Sequence, residues 1–271
     1  MANRITIQLV GEEADREDVR LDDFIDQLKD VKKALLENEL AITGKQEPTL
    51  DYKVVDLRHS SPATVILEPV PLGPSTPVDA GFMKQVVGEF ATELRSIKKT
   101  GTLQRPPDLA RLIAYQKIGV RDNNRITKVK IGIGRQMVTI DGVFKRKLDA
   151  IVGPDEFAEG TVDGMLEAVN FHNTNKFHLY PVIGPRRILG TFQNHLRPRV
   201  KEGIGSFVTV RGKLRYKVWS QYPHGIVAED VDIHEPDSQL PTLTELRGAF
   251  AGSIGKLSSV EFVDQLRNED Q

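Results

Sequence analysis

The six histidines are the side chains of this sequence best suited to metal binding or proton transfer, because the chain has no cysteine. A hydrolytic zinc site needs three converging nitrogen or oxygen ligands, often with two histidines four residues apart on a helix. No two of these histidines have that spacing. His172 and His178 flank a predicted loop between two strands, where one could act as a base or both could form ordinary hydrogen bonds. We therefore predict no metal site, no catalytic residue and no cofactor.

One glycine-rich motif could bind phosphate, but its context argues against that role. The segment Gly132-Ile-Gly134-Arg135 resembles half of a dinucleotide-binding loop. The third glycine is missing, and a strand rather than a helix is predicted to follow. The motif therefore predicts a hairpin turn.

Basic and aromatic side chains in the second half of the chain could bind a single-stranded nucleic acid. Along a strand predicted at 207–216, and just beyond it, four cations alternate with other residues and so share one face. Such a face is either a phosphate-contacting track or the solvent side of a half-buried strand. The candidate nucleic-acid-binding residues are Arg186, Arg187, Arg211, Lys213, Arg215, Tyr216, Lys217 and Trp219.

The C-terminal segment 237–271 contains two motifs that start helices. Thr242-Leu-Thr-Glu245 and Ser258-Ser-Val-Glu261 each place a hydroxyl three residues before a glutamate, which is a capping box. Each predicted helix has about ten residues, which is too short to be stable alone in water. The apolar faces of these helices must therefore dock on the rest of the chain, on a second copy or on another protein.

The strings Leu240–Gly248 and Ser258–Arg267 resemble the C-terminal tails of antitoxins that neutralise PIN-domain ribonuclease toxins. The resemblance implies a tail that wraps the toxin as short amphipathic helices, with an arginine in the toxin's acidic, magnesium-binding pocket. A guanidinium suits that position because it can bind carboxylates bidentately. Such antitoxins usually begin with a small DNA-binding dimer module, which residues 1–150 do not show. The implied partner-binding residues are Leu243, Leu246, Arg247, Phe250, Phe262, Leu266 and Arg267.

The net charge of −1 conceals a strong segregation of charge along the chain. Residues 1–83 carry 9 Lys and Arg against 16 Asp and Glu, whereas residues 84–153 carry 15 against 6. A basic segment of this kind could contact the phosphates of DNA or RNA. Alternatively, the acidic and basic segments pack against each other, within one chain or across a homodimer.

Hydrophobic periodicity predicts an α+β domain over residues 1–153. Helices are predicted at about 20–38, 78–98 and 106–118, and strands near Ile5–Leu9, Val54–Leu57 and Val65–Leu67 and at 126–133 and 136–140. The four prolines between Pro69 and Pro77 predict a rigid connection. Gly153-Pro154 marks the predicted domain boundary.

Residues 154–236 are predicted to form an OB-like five-stranded β-barrel. Strands are predicted at 160–169, 177–182, 186–192, 207–216 and 226–233, with a helix at 193–202. Three strands, a helix and two strands are the order of an OB-fold, whereas an SH3-like barrel, the nearest alternative, usually lacks the helix. Residues 237–271 complete the chain as a helical partner-binding tail.

The leading hypothesis is a cytoplasmic, non-enzymatic, antitoxin-like protein whose tail binds and inhibits a toxin-like nuclease. The alternative is a single-stranded nucleic-acid-binding OB-fold protein, and a hydrolase acting through His172 or His178 is the third class. No apolar run approaches the 18 to 20 residues that would span a membrane, and no secretory signal is recognisable, so we expect no membrane partner.

Overall fold

The computed structural model describes residues 4–58, 61–73, 78–119, 125–172, 174–235, 258 and 260–261. The chain divides into two compact units. The first contains the chain up to Phe157 together with Arg215–His224, and the second contains Ala158–Leu214 and the chain from Gly225 onward. The predicted boundary at Gly153-Pro154 lies near the first of these divisions, whereas no sequence signal indicates that 215–224 groups with the N-terminal unit.

The first unit is built on a five-stranded antiparallel sheet with the strand order β2-β3-β1-β4-β5. Its elements are β1 (Ile5–Gly11), α1 (Leu21–Thr43), β2 (Leu50–Arg58), β3 (Ala63–Pro71), α2 (Ala80–Thr100), α3 (Leu109–Lys117), β4 (Ile126–Ile133), β5 (Gln136–Ile140) and α4 (Gly142–Val152). The core lies on one face of this sheet, because alternate residues of β1 are buried.

Helix α2 shows how the sequence builds this unit. Phe90 and Leu94 lie on one side of the helix and are completely buried, as the apolar periodicity predicts. The helix begins after Asp79, whose carboxylate accepts a hydrogen bond of 2.7 Å from the backbone N–H of Phe82. It ends at Gly101, which adopts the left-handed conformation that favours glycine. The polar side of α2 is left facing solvent.

The described elements of this unit confirm the types of the predicted helices and strands, but several bounds differ. The helix predicted from Pro106 begins only at Leu109, the first helix extends to Thr43, and β2 begins at Leu50. Two assignments were also wrong. Pro69–Pro71, assigned by sequence to the rigid connection, are the last residues of β3. Helix α4 was not predicted, because the run Lys145-Arg146-Lys147 interrupts its short apolar stripe. The helix is started by Asp141, whose carboxylate accepts hydrogen bonds from the backbone N–H groups of Val143 and Phe144.

The second sheet is a closed barrel of five strands in the order β10-β8-β7-β6-β9. Its elements are β6 (Asp155–Asn170), β7 (Lys176–Tyr180), β8 (Ile188–Phe192), α5 (Arg197–Glu202), β9 (Phe207–Lys217) and β10 (Gly225–Ile233). Strands β8 and β10 are parallel, whereas β7 is antiparallel to both β6 and β8. Helix α5 connects β8 to β9, where the sequence places a helix.

The barrel interior is narrow, and Gly190 illustrates how tightly it is filled. A Cβ atom at this position would lie 2.0 Å from the ring of Phe177. The α+β class is thus confirmed by the described residues, which form both helices and two five-stranded sheets. In the described part of the chain, no helix is both long and apolar enough to cross a membrane.

Candidate functional site

The outer surface of β7 and β8 combines basic, aromatic and aliphatic side chains. Phe177 and Leu179 are buried, so the alternating side chains of Lys176, His178 and Tyr180 lie on the outer face of β7. On β8, the outward residues are Leu189 and Thr191, which pair with His178 and Lys176 respectively. These outward residues of β7 and β8 form a continuous surface, which we call the β7–β8 face.

This face belongs to a stretch of the chain that carries no negative side chain. Residues 168–201 contain no Asp or Glu, but they contain six Lys or Arg and three His. The loop between β7 and β8 contributes Arg186 and Arg187, together with Val182 and Ile183, whose side chains are strongly exposed. The stretch itself therefore has a strong excess of positive charge, although Arg199 within it pairs with Glu202 and Asp232 from outside it.

The loop between β6 and β7 is held in place by Arg197 of α5. The Arg197 Nε donates a hydrogen bond of 3.0 Å to Asn175 Oδ1, and its guanidinium carbon lies 5.9 Å from the centre of the Phe171 ring. Asn175 Nδ2 also donates a hydrogen bond of 2.9 Å to Asn194 Oδ1. An aromatic ring and an exposed guanidinium are therefore fixed beside the β7–β8 face.

His178 is the titratable group at the centre of this face. Partial burial, followed by the positive charge of Arg187, lowers the pKa of His178 below the ordinary histidine value of 6.5. The imidazole is therefore neutral at pH 7, and it becomes a cation only in more acidic solution.

The four predicted cations of β9 lie in a different environment. Arg211 and Lys213 are exposed, as the alternation predicts, but Arg211 is 3.8 Å from the carboxylate of Asp230. Arg215 lies 3.7 Å from Asp155. The predicted uniform cationic face ends at Lys217, which is buried and does not face solvent.

Lys217 has a structural position at the end of β9. Its Nζ donates a hydrogen bond of 2.8 Å to the carbonyl oxygen of Gly153 and lies 2.7 Å from Asp155 Oδ1. His224 Nε2 is 3.0 Å from the same Asp155 oxygen. Burial raises the pKa of Asp155, but the hydrogen bonds from Lys217 and His224 outweigh it, and the pKa is lowered overall. These contacts lie within the first unit, so Lys217 holds the end of β9 against Gly153 and Asp155 of that unit.

The two predicted aromatic residues near β9 are also only partly available. Trp219 is half-buried against the core of the first unit, and its indole N–H donates a hydrogen bond of 3.2 Å to the carbonyl oxygen of Val152. Tyr216 is half-buried as well. The sequence analysis therefore selected Arg186, Arg187 and the alternating cations of β9, but it considered His178 only as a possible base. It did not include Lys176, His178 or Tyr180 among the nucleic-acid-binding residues. The signal that would have found them is the absence of acidic residues over 168–201.

The seven predicted partner-binding residues of the tail lie outside the described residues. One prediction about the tail falls on described residues and is confirmed, namely the second capping box. The backbone N–H of Ser258 donates a hydrogen bond of 2.8 Å to Glu261 Oε2, and the N–H of Glu261 donates one of 3.3 Å to Ser258 Oγ. The hydrogen bond from the Ser258 backbone N–H, followed by one from its hydroxyl, lowers the pKa of the Glu261 carboxyl.

Comparisons of the chain with protein-family models, with curated protein sequences and with solved structures find no match. Within the described ranges, no group of three or more His, Asp or Glu side chains is arranged to hold a metal ion. The function must therefore be inferred from the surfaces themselves.

Proposed function

We propose that this protein is a non-enzymatic, single-stranded nucleic-acid-binding protein whose barrel is an OB-fold. Numbered from β6, the five strands have the closed order 1-2-3-5-4, with strands 3 and 5 parallel and a helix between strands 3 and 4. This connectivity is the Greek-key arrangement expected of an OB-fold.

The observation that carries the proposal is the chemistry of the β7–β8 face. Strands 2 and 3 of an OB-fold are those that bind oligonucleotides, and here they are β7 and β8. Single-stranded binding needs cations for the phosphates and rings on which bases stack. Lys176 and Arg187 provide exposed cations, and Tyr180 provides an outward ring on β7.

The test compares two pairs of cations in the full-length protein. The first double variant, Lys176→Ala with Arg187→Ala, removes two charges at the β7–β8 face. The second double variant, Arg211→Ala with Lys213→Ala, removes two exposed charges of β9. For single strands each lost phosphate contact lowers the slope of log affinity against log salt by about 0.7, so we expect the first pair to lower it by about 1.4. We expect a much smaller change from the second pair, because Arg211 already faces Asp230.

Fluorescence anisotropy with labelled single-stranded oligonucleotides measures both effects. Equal losses from the two pairs would show that the β7–β8 face is not the binding site. A wild-type protein without affinity for any single strand would refute the proposed function itself.

A second candidate function is inhibition of a toxin-like nuclease by the tail. The capping box formed by Ser258 and Glu261 favours it, because reciprocal capping initiates a helix at the position that the antitoxin resemblance requires. In this proposal Arg247 or Arg267 enters the acidic pocket of the nuclease. The apolar residues that bind the nuclease surface are Leu243, Leu246, Phe250, Phe262 and Leu266.

Truncation after Glu235 tests this candidate. The full-length protein is expected to co-purify with a nuclease and to inhibit its hydrolysis of RNA, and the truncated protein is expected to do neither. The matched control is full-length protein with Arg247→Ala and Arg267→Ala, which should still bind the partner but inhibit it less. Retention of the complex by the truncated protein would contradict the proposal.

A further inference from the structure

A groove of about 640 Å³ runs along the solvent side of α2 in the first unit. The described residues of its lining are glycines and polar or charged residues, namely Gly81, Lys84, Gln85, Gly88, Glu89, Thr92, Gln104 and Arg105. Gly88 keeps the groove open, since a Cβ atom built there would meet nothing within 4 Å.

The groove is held rigid from beneath by a buried ionic network. Arg105 Nη1 lies 3.1 Å from Glu89 Oε2, and its Nη2 lies 3.0 Å from Glu93 Oε2. Glu93 is fully buried and also accepts a hydrogen bond of 3.0 Å from the hydroxyl of Tyr115. Glu89 is the only carboxylate among the described lining residues. Arg105 and Arg111, whose Nη2 lies 3.4 Å from Glu93 Oε1, together balance Glu89 and Glu93. The remaining charge among the described lining residues is that of Lys84.

The groove continues into a basic surface at the C-terminal end of α2. Arg95 Nη2 donates a hydrogen bond of 2.9 Å to Thr92 Oγ1, and Gln104 Nε2 donates one of 2.8 Å to Ser96 Oγ. The guanidinium of Arg95 also contacts the side-chain oxygen of Gln136 in β5. Groove and basic end are therefore joined by direct hydrogen bonds.

Cations from three elements meet at this end. Lys99 is exposed in the last turn of α2, and Arg135 is exposed in the hairpin next to Gln136. Lys147 of α4 donates hydrogen bonds of 2.9 Å to the carbonyl oxygens of Lys98 and Lys99. Among the described residues, no carboxylate lies within ion-pair distance of Lys84, Lys99 or Arg135.

We infer that this α2 surface, formed by the groove and its basic end, is a second nucleic-acid-binding site that contacts the phosphate backbone. Lysine, arginine, hydroxyl and amide donors are the groups that contact phosphate and sugar in protein–nucleic-acid complexes. A protein partner would instead need apolar or aromatic anchors, and the described lining residues include no aliphatic or aromatic side chain. At 1.5 Å per residue, α2 is about 30 Å long, which accommodates several nucleotides. The site lies wholly in the first unit and does not rest on the proposed role of the barrel.

The experiment uses the full-length protein and a labelled oligothymidylate of about 30 nucleotides, long enough to cover more than one site. The variant Lys84→Ala, Lys99→Ala, Arg135→Ala removes three cations of the α2 surface. We expect the salt slope to fall by about 2 and the affinity at 0.1 M salt to fall by about 10- to 100-fold. The matched control is Lys29→Ala, Lys33→Ala, Lys45→Ala, which removes three exposed lysines from the acidic N-terminal segment and should bind as the wild type does.

A second variant, Gly88→Leu, separates loss of binding from loss of folding. A Cβ atom at this position meets nothing within 4 Å, so the substitution begins in open space and should place an aliphatic side chain in the groove. It also replaces a helical glycine by a strong helix former, so the thermal midpoint should stay equal or rise. We expect a several-fold loss of affinity in a protein that is at least as stable as the wild type.

The outcomes distinguish this inference from the barrel proposal. If the triple variant and Gly88→Leu bind like the wild type, the inference is overturned, even where Lys176→Ala with Arg187→Ala loses affinity. If only the α2 variants lose affinity, the inference stands and the barrel proposal fails. If the triple variant keeps its affinity for oligothymidylate but loses affinity for polyglutamate, the surface serves an acidic protein and the inference is overturned.

Discussion

The barrel has two basic regions, β9 and the β7–β8 face, and they differ in the carboxylates that lie near their cations. On β9, Arg211 faces Asp230, while Arg215 and Lys217 approach Asp155. On the β7–β8 face, the cations belong to a stretch of 34 residues, 168–201, without any carboxylate. A cation that is already paired must lose its carboxylate before it can bind phosphate. An acid-free stretch does not by itself leave its cations unpaired, since Arg199 within it lies 3.4 Å from Asp232 and 3.5 Å from Glu202. Among the described residues, however, no carboxylate lies within ion-pair distance of Lys176 or Arg187, which makes these two cations better candidates for phosphate contacts than Arg211 or Arg215.

The largest effect is expected on the stability of the protein, from a substitution of the buried Lys217. Lys217→Ala leaves the Gly153 carbonyl and part of Asp155 without their donor, and we expect it to lower the free energy of unfolding by about 2 kcal/mol. Urea denaturation measures this loss. The folded fraction of the variant should keep the wild-type affinity for single strands. An unchanged stability together with weakened binding would instead place Lys217 in a binding site.

The next effect is on affinity rather than on stability, and it is expected from the aromatic rings of the two regions. Tyr180→Ala removes a ring from the β7–β8 face, and stacking of one base is worth about 1–3 kcal/mol, or roughly 5- to 150-fold in affinity. Tyr216→Ala is the matched variant on β9, and we expect less than about a twofold change in affinity from it. Isothermal titration calorimetry with an oligothymidylate measures the affinity of both variants. A greater loss from Tyr216→Ala would reverse the assignment of the two regions.

The smallest effect on affinity is expected from the protonation of His178. Its pKa is lowered in the folded protein, so the imidazole gains a charge only as the pH falls below 6.5 and through the folded-state value. The added cation should strengthen binding to a polyanion by a few-fold, and His178→Gln should abolish that gain. Binding titrations from pH 7.5 to 5.5 measure this gain in affinity, and a flat wild-type profile would contradict it.

The lowered pKa of His178 also affects stability. Because the folded state resists protonation, the contribution of His178 to stability is complete above pH 6.5 and is lost as the pH falls.

Local sequence patterns were enough to predict much of the fold. The apolar stripe of α2 and the alternation in β1 indicated the correct element types, because each depends only on near neighbours along the chain. Gly134 takes the left-handed conformation that the predicted hairpin requires. The capping box at Ser258 and Glu261 is likewise a property of four consecutive residues. Helix α4 is the exception, because the basic run Lys145-Arg146-Lys147 separates its buried residues Phe144 and Leu148 and leaves only a short apolar stripe.

The candidate site was predicted less well than the fold, and the reason is physical. The sequence by itself determined the element types, the cysteine-free composition, the segregation of charge and the acid-free stretch from 168 to 201. Only the tertiary structure decided which carboxylates lie opposite each cation, because the strands next to β9 are β6 and β10, and these supply Asp155 and Asp230. Asp155 and Lys217 are 62 residues apart in sequence, yet their charged atoms are 2.7 Å apart. Contacts of that kind follow from barrel closure and not from any pattern along the strand.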